Sequence, residues 1–270
     1  MRFAAIDIGS NAIRLLLCNV YNGKGTPVFK KAELIRVPIR LGEDAFLKGK
    51  ILSEKADKLV KSLKAFKLLI DVFEATDYRA CATSAMRDAK NNKEILEKIQ
   101  QEAGLKVELI DGKTEADIIF SNRAEEFLDK NNSYLYIDIG GGSTELTLLS
   151  KNKIVASQSF NVGTIRMLHK QIDKDYWTEF KDWVKKTTEG HSPLIAIGSG
   201  GNINKLFNMT RKKQNRPVSY DKLKSLYELL ESYTLEERIK ILGLKPDRAD
   251  VIIPASKILL SVMKTRAYKK

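Results

Sequence analysis

The chain has 270 residues, 43% of them hydrophobic, enough for two modest domains each with its own core. Its apolar runs are strand-sized and fall short of the roughly 20 residues a membrane span needs, so no membrane partner is expected. Forty-seven Lys and Arg against 34 Asp and Glu leave a net charge of +13, which draws polyanions without choosing among nucleic acid, nucleotides and inorganic polyphosphate. No Cys/His zinc spacing or helix-turn-helix pattern marks dedicated nucleic-acid binding.

In chain order, Phe3–Ile8, Ala12–Val20 and Val28–Ile39 read as three strands, with a turn at Tyr21–Gly25. Met1-Arg2-Phe3 enters the first strand with no signal-peptide profile. Cys18 and Cys81 lie far apart in apolar stretches and read as core thiols of a cytoplasmic protein. A helix capped by Ser53 carries Leu59, Leu63, Phe66, Leu69 and Ile70 at helical spacing. Tyr78–Ala82 is a short strand that runs into Thr83-Ser84-Ala85-Met86-Arg87-Asp88. A helix over 93–103 follows, then a strand over Leu105–Ile110, a turn at Asp111–Glu115 and a helix reaching Leu128.

The second half begins with a strand through Tyr136–Ile139, the stretch Gly140-Gly141-Gly142, a strand from Ser143 to Leu149, and a third over Ile154–Phe160. A short helix over Thr164–Lys170 and a longer one marked by Trp177, Phe180, Trp183 and Val184 come next. Pro193–Ile197 is a strand leading to Gly198-Ser199-Gly200-Gly201, followed by a helix over Ile203–Met209. Arg211–Arg216 is a basic loop, Tyr220–Tyr233 and Leu235–Leu242 are helical, Pro246 starts a turn, and a last apolar helix ends near Met263.

Two stretches share one design. Ala5-Ile6-Asp7-Ile8-Gly9-Ser10-Asn11 and Tyr136-Ile137-Asp138-Ile139-Gly140-Gly141-Gly142 each deliver one aspartate from a strand into a glycine turn that leaves as a second strand. Glycines let backbone approach a ligand closely, successive N–H groups form an anion-binding concavity, and the carboxylate can hold a cation or orient water. The repeat implies an α/β protein of two related domains facing each other across a cleft, with the boundary in or beside the helix between residues 115 and 131: 1–125 and 126–270.

Those two hairpins, Ala82–Arg87, the Gly112–Glu115 turn, Ser159-Phe160-Asn161-Val162-Gly163 and Gly198–Gly201 occur in that order. The ordered set resembles the exopolyphosphatase and guanosine pentaphosphate phosphatase family, within the actin and sugar-kinase superfamily. The resemblance covers essentially the whole chain. It implies two ribonuclease-H-like (actin-like ATPase) domains flanking a central cleft, and metal-assisted hydrolysis of a terminal phosphoanhydride of polyphosphate or guanosine pentaphosphate. It also implies a homodimer.

Two departures stand out. Thr114-Glu115-Ala116-Asp117 replaces the paired glutamates and Ala-Arg common in the family. The chain also stops soon after Ile258–Met263, so the second domain is expected to lack its closing segment.

The resemblance makes Glu115 the catalytic carboxylate, with Asp138 and Arg87 beside it. A carboxylate there would align and deprotonate the attacking water; the bland alternative is a first-turn Glu complementing the helix dipole. Asp7, Asp138 and Glu145 are the candidate metal carboxylates for Mg²⁺, or for Mn²⁺; the bland alternative is that Asp7 or Asp138 only caps its own glycine turn. Gly9, Ser10 and Asn11, with Gly140, Gly141, Gly142, Ser143 and Thr144, would grip phosphate through N–H groups and hydroxyls. Arg87 suits bidentate phosphate contact. Arg14, unusual in an apolar strand, would face phosphate or pair with a neighbouring acid. Gly198, Ser199, Gly200 and Gly201 resemble a loop that meets nucleotide or the distal substrate chain. A sensor that binds without turnover, or a kinase or ATPase of the same superfamily, are the alternative functions.

Overall fold

A computed structural model describes residues 1–22, 27–121, 129, 131–210 and 216–264. The chain divides into two compact units, Met1–Asp111 and Gly112–Lys270. The division precedes the expected 125/126 boundary because the helix beginning at Gly112 packs on strands of the second unit. Residues 122–128 and most of the basic loop, 211–215, lie outside the described residues.

In the first unit β1 (Arg2–Ile8), β2 (Ile13–Tyr21) and β3 (Val28–Val37) form an antiparallel meander. β4 (Asp77–Ala82) pairs in parallel with the other side of β1, and β5 (Glu108–Leu109) follows it, giving the order β3-β2-β1-β4-β5. Parallel neighbours need crossovers. α1 (Leu41–Lys48) and α2 (Ser53–Val72) supply the first, α3 (Ser84–Asp88) and α4 (Asn92–Ala103) the second. The strand expected over 105–110 pairs only at Glu108 and Leu109.

Alternation along β1 sends Ala4, Ile6 and Ile8 to the core, where they meet Leu59, Leu63, Phe66 and Ile70 of α2. Those four α2 positions are at most 4% exposed, and burying each side chain contributes about 1.5–3 kcal/mol. On the opposite face Ala5 and Arg79 are exposed.

The second unit opens with α5 (Gly112–Ser121) and repeats the meander as β6 (Ser133–Ile139), β7 (Thr144–Ser150) and β8 (Lys153–Phe160). After α6 (Thr164–Leu168) and α7 (Lys174–Thr188), β9 (Leu194–Ser199) joins β6 in parallel. Among the described residues this sheet has four strands, ordered β8-β7-β6-β9. α8 (Gly201–Met209), α9 (Tyr220–Ser232), α10 (Leu235–Lys240), α11 (Pro246–Ala249) and α12 (Ile252–Lys264) complete the unit.

Pro246 opens α11 rather than a turn, where its missing N–H costs nothing. The core joins Leu135, Ile137 and Ile139 to Phe160, Phe180 and α12, with the Phe160 and Phe180 rings edge to face at 5.1 Å. The other face of β6 carries Tyr134, Tyr136 and Asp138, so the row turns from apolar to acidic toward the C-terminal end of the strand.

The third strand of each meander carries one unpaired residue. Leu17 pairs with Glu33 and Cys18 with Lys31, skipping Ala32; Leu148 pairs with Ala156 and Leu149 with Ile154, skipping Val155. These bulges shift everything beyond them by one residue. Arg36 rather than Ile35 thereby faces Arg14, and Ser159 rather than Gln158 faces Glu145.

Candidate active site

Both glycine turns close identically. The Gly9 N–H donates to the Ala12 carbonyl at 3.2 Å, and the Gly140 N–H to the Ser143 carbonyl at 2.9 Å. These two N–H groups are therefore spent inside the turns. A helix start backs each turn. Gly42 N–H donates to Ser10 O at 2.8 Å and Arg40 N–H to Asn11 O at 3.0 Å. Likewise Thr164 N–H donates to Gly140 O at 3.0 Å, Ile165 N–H to Gly141 O at 2.8 Å, and Arg166 Nε to Gly142 O at 2.8 Å.

Gly163 lies so close to the second turn that a Cβ on it would stand 2.4 Å from Gly141 O, which leaves room for hydrogen only. Buried Ser10 shares a hydrogen bond with Ser84 at 2.9 Å. Thr144 is fully buried and its hydroxyl donates to the Val162 carbonyl, so its contact is with the fold; Ser143 is buried as well.

The residues beside the aspartates differ. In the first unit Asp7 pairs across β1 and β2 with Arg14, whose Nη1 donates to its carboxylate in an ion pair, and Arg36 follows on β3. Arg14 thus pairs with the neighbouring acid, and the candidate metal carboxylate Asp7 is engaged by a cation of its own sheet. In the second unit one row crosses the sheet as Ser199, Asp138, Glu145 and Ser159. Directly opposed side chains on antiparallel strands lie on one face with Cβ atoms about 4.5–5.5 Å apart. Glu145 is 4% exposed and accepts a hydrogen bond from Ser159 Oγ at 2.9 Å.

The Gly198–Gly201 loop belongs to this row. Gly200 has φ +99°, and a Cβ there would stand 2.9 Å from Asp138 Oδ1, so both conformation and space call for glycine. α8 starts immediately after, placing a positive helix end next to the Asp138 carboxylate. The Arg248 guanidinium donates to Gly201 O at 3.0 Å, and a Cβ on Gly198 would press on Ile203.

Glu115 sits in the first turn of α5, half-buried, with Oε2 enclosed from solvent. α5 lies over β7 and β8. Arg87, on α3, donates from Nη1 to the Ile110 carbonyl at 2.8 Å, two residues before α5 begins.

Among the described residues no three His, Cys, Asp or Glu side chains gather to hold a metal. The donor set available in the second unit is two opposed carboxylates, Asp138 and Glu145, with hydroxyls on either side. Hard oxygen donors with few protein ligands fit Mg²⁺, which keeps several waters.

Around α1, burial pushes the Asp44 carboxyl up, but the Leu52 N–H and the Lys48 and Lys55 ammonium groups more than offset it, holding it below its ordinary value. Glu43 is held low in the same way: burial opposes, while Lys55 and Arg40 prevail. No helix among the described residues is long and apolar enough to cross a membrane.

The model of the Ppx/GppA phosphatase family matches residues 26–267, so the chain belongs to that family of phosphatases. It is 32% identical over 288 residues to the bifunctional 3-dehydroquinate synthase/phosphatase of Fusobacterium nucleatum, matching 96% of this chain and 43% of that protein. The chain therefore spans less than half of that relative's length. It is 24% identical to Exopolyphosphatase 1 of Mycobacterium tuberculosis, matching 98% of this chain and 82% of that one. A solved exopolyphosphatase from Cytophaga hutchinsonii superposes with a TM-score of 0.83 at 26% identity, covering 98% of this chain and 91% of that structure.

Ser159, Gly163, Arg166 and Ser84 were not singled out as site residues from the sequence. Ser84, Ser159 and Gly163 lie in stretches that carried the resemblance, but their contacts show themselves only through pairing register, close packing and long-range hydrogen bonds, as does Arg166.

Proposed function

We propose that the chain hydrolyses the terminal phosphoanhydride of inorganic polyphosphate, or the 5′ gamma phosphoanhydride of guanosine pentaphosphate, with water as nucleophile. We read each unit as a ribonuclease-H-like domain. The observation that carries the function is the Ser199–Asp138–Glu145–Ser159 row at the C-terminal end of β6, with α5 and Glu115 laid over β7 and β8. Ligands of α/β sheets bind at the carboxyl ends of strands. The family and the two exopolyphosphatase relatives support the substrate class.

In this reading Glu115 orients the attacking water and accepts its proton as the water oxygen bonds to the terminal phosphorus. The bridging oxygen departs with its electron pair on the shortened chain. Asp138 and Glu145 would hold Mg²⁺, which when bound would supply neutralisation of charge on the phosphate oxygens. Gly200 keeps backbone against Asp138 and so limits the positions its carboxylate can take. In the first unit Arg14 and Arg87 are candidate anion-binding groups, each with Nη1 committed to a protein acceptor.

The test is orthophosphate release from polyphosphate and from guanosine pentaphosphate with Mg²⁺, in wild type and Glu115→Ala. Release that falls about 10³-fold in the variant is the expected result; the faster substrate names the function. Binding of either substrate without release would replace hydrolysis with a sensor.

A further inference from the structure

Two contacts converge on Ser159, which opens the Ser159–Gly163 stretch and has no role in the site described so far. The bulge at Val155 brings it opposite Glu145, and its Oγ donates to Glu145 Oε1 at 2.9 Å. On its other flank, a Cβ built on Gly112 would stand 2.5 Å from both Ser159 Cβ and Ser159 Oγ. Side chains do not approach that closely, so the bare Cα of Gly112 rests directly on the serine. Gly112 has no left-handed φ, and it is space rather than conformation that calls for glycine. It is also the first residue of α5, the helix that carries Glu115.

Resting on the function proposed above, we infer that Ser159 is a positioning residue that couples the helix carrying Glu115 to the carboxylate of Glu145. Its hydroxyl selects one arrangement of the Glu145 side chain. Its hydroxymethyl, against a glycine, sets how closely the start of α5 approaches β8. One small side chain thus holds in register the group that activates water and a group that meets the cation. Alanine at 159 keeps the spacing and loses the hydrogen bond. A methyl at 112 keeps the hydrogen-bond donor and forces the helix away.

The experiment is a double-mutant cycle on the full chain with two readouts, orthophosphate release with Mg²⁺ and amide hydrogen exchange across α5. The variants are Ser159→Ala, Ser159→Gly, Gly112→Ala and the Gly112→Ala/Ser159→Gly pair. Ser159→Ala is expected to keep KM and the thermal midpoint while kcat falls about tenfold, the scale on which small misplacements act. Gly112→Ala is expected to lose about a hundredfold in kcat and to speed exchange in α5.

The double variant should return to the level of Ser159→Gly alone, because the added methyl then meets open space; strong non-additivity marks directly coupled residues. A Gly112→Ala loss that multiplies unchanged into the double variant, or Ser159→Ala at wild-type kcat, overturns the inference. If wild type releases no orthophosphate from either substrate, the hydrolase reading fails and the exchange cycle decides alone. Faster α5 exchange in Gly112→Ala that the second substitution reverses upholds the coupling, and exchange left unreversed overturns it.

Discussion

The two hairpins share a backbone and differ in chemistry. In each, an aspartate precedes a glycine turn closed by the same N–H to carbonyl bond and backed by the start of a helix. One step along the rung the pattern splits: Arg14 stands beside Asp7 where Glu145 stands beside Asp138, and Arg36 stands where Ser159 does. The first row neutralises its own carboxylate and sets two guanidinium groups, Arg14 and Arg36, beside it. The second concentrates carboxylate and flanks it with hydroxyls. In the reading proposed above, a repeated scaffold is specialised by the residue across from its aspartate, one half toward anions and the other toward a cation.

The sharpest way to break this comparison is to remove the same charge from both hairpins. Asp138→Asn or Glu145→Gln should lower orthophosphate release by about 10³, the scale of deleting a principal electrostatic group, whereas Asp7→Asn should cost about tenfold. Equal losses in the two hairpins would erase the distinction.

The glycines come next. Gly200→Ala meets both an unfavourable φ and the Asp138 carboxylate, and should lose about 10² in kcat through misplacement. Gly9→Ala, with no positive φ and its nearest contact at 3.1 Å, should lose distinctly less, read from the same assay and from thermal midpoints.

Arg14→Gln should raise KM for polyphosphate about tenfold, roughly 1.4 kcal/mol, with little change in kcat. That difference should shrink in high salt, as exposed charges are screened. An unchanged KM would deny the first hairpin its anion-facing role.

The smallest effect concerns the support beneath the first turn. Asp44 and Glu43 titrate below their ordinary values in the folded chain, so their stabilisation is complete above the ordinary carboxylate range and is lost as pH falls through the lowered folded values. Thermal midpoints followed from about pH 6 down to about pH 3 should fall less steeply in Asp44→Asn than in wild type. Parallel curves would count against this origin.

The strand and helix alternation and both Asp–Gly hairpins were legible in the sequence because period-two and period-3.6 patterns are local. The helix at Leu41 was not. Its N-cap, Arg40, is left-handed with φ 61°, a conformation that arginine does not announce, and its Nε bonds to Glu43. α5 begins at Gly112 rather than after a turn, and that glycine packs on Ser159, a contact between residues far apart in the chain. Pro254 lies within the first turn of α12, where proline is tolerated, although it reads as a boundary.

Within the site, the aspartates and Glu145 could be found by motif, whereas Ser159, although it opens a stretch that carries the resemblance, gave no sign of its place opposite Glu145. Counting back from the turn at Lys151 and Asn152 puts Gln158 opposite Glu145, and only the unpaired Val155 moves Ser159 into place.

Those same two bulges have a consequence for how the molecule coexists with its own copies. β3 and β8 are sheet edges, and a regular edge with exposed apolar residues is a template for pairing between chains. Phe29 is 69% exposed on β3, and Ile154 and Val155 are about half exposed on β8. The kinks at Ala32 and Val155 interrupt each ladder, and Lys30 and Lys31 add charge to the first, so neither edge offers a long, flat, neutral run. An irregularity that aims a side chain within the sheet also makes the sheet edge a poorer template for pairing between chains.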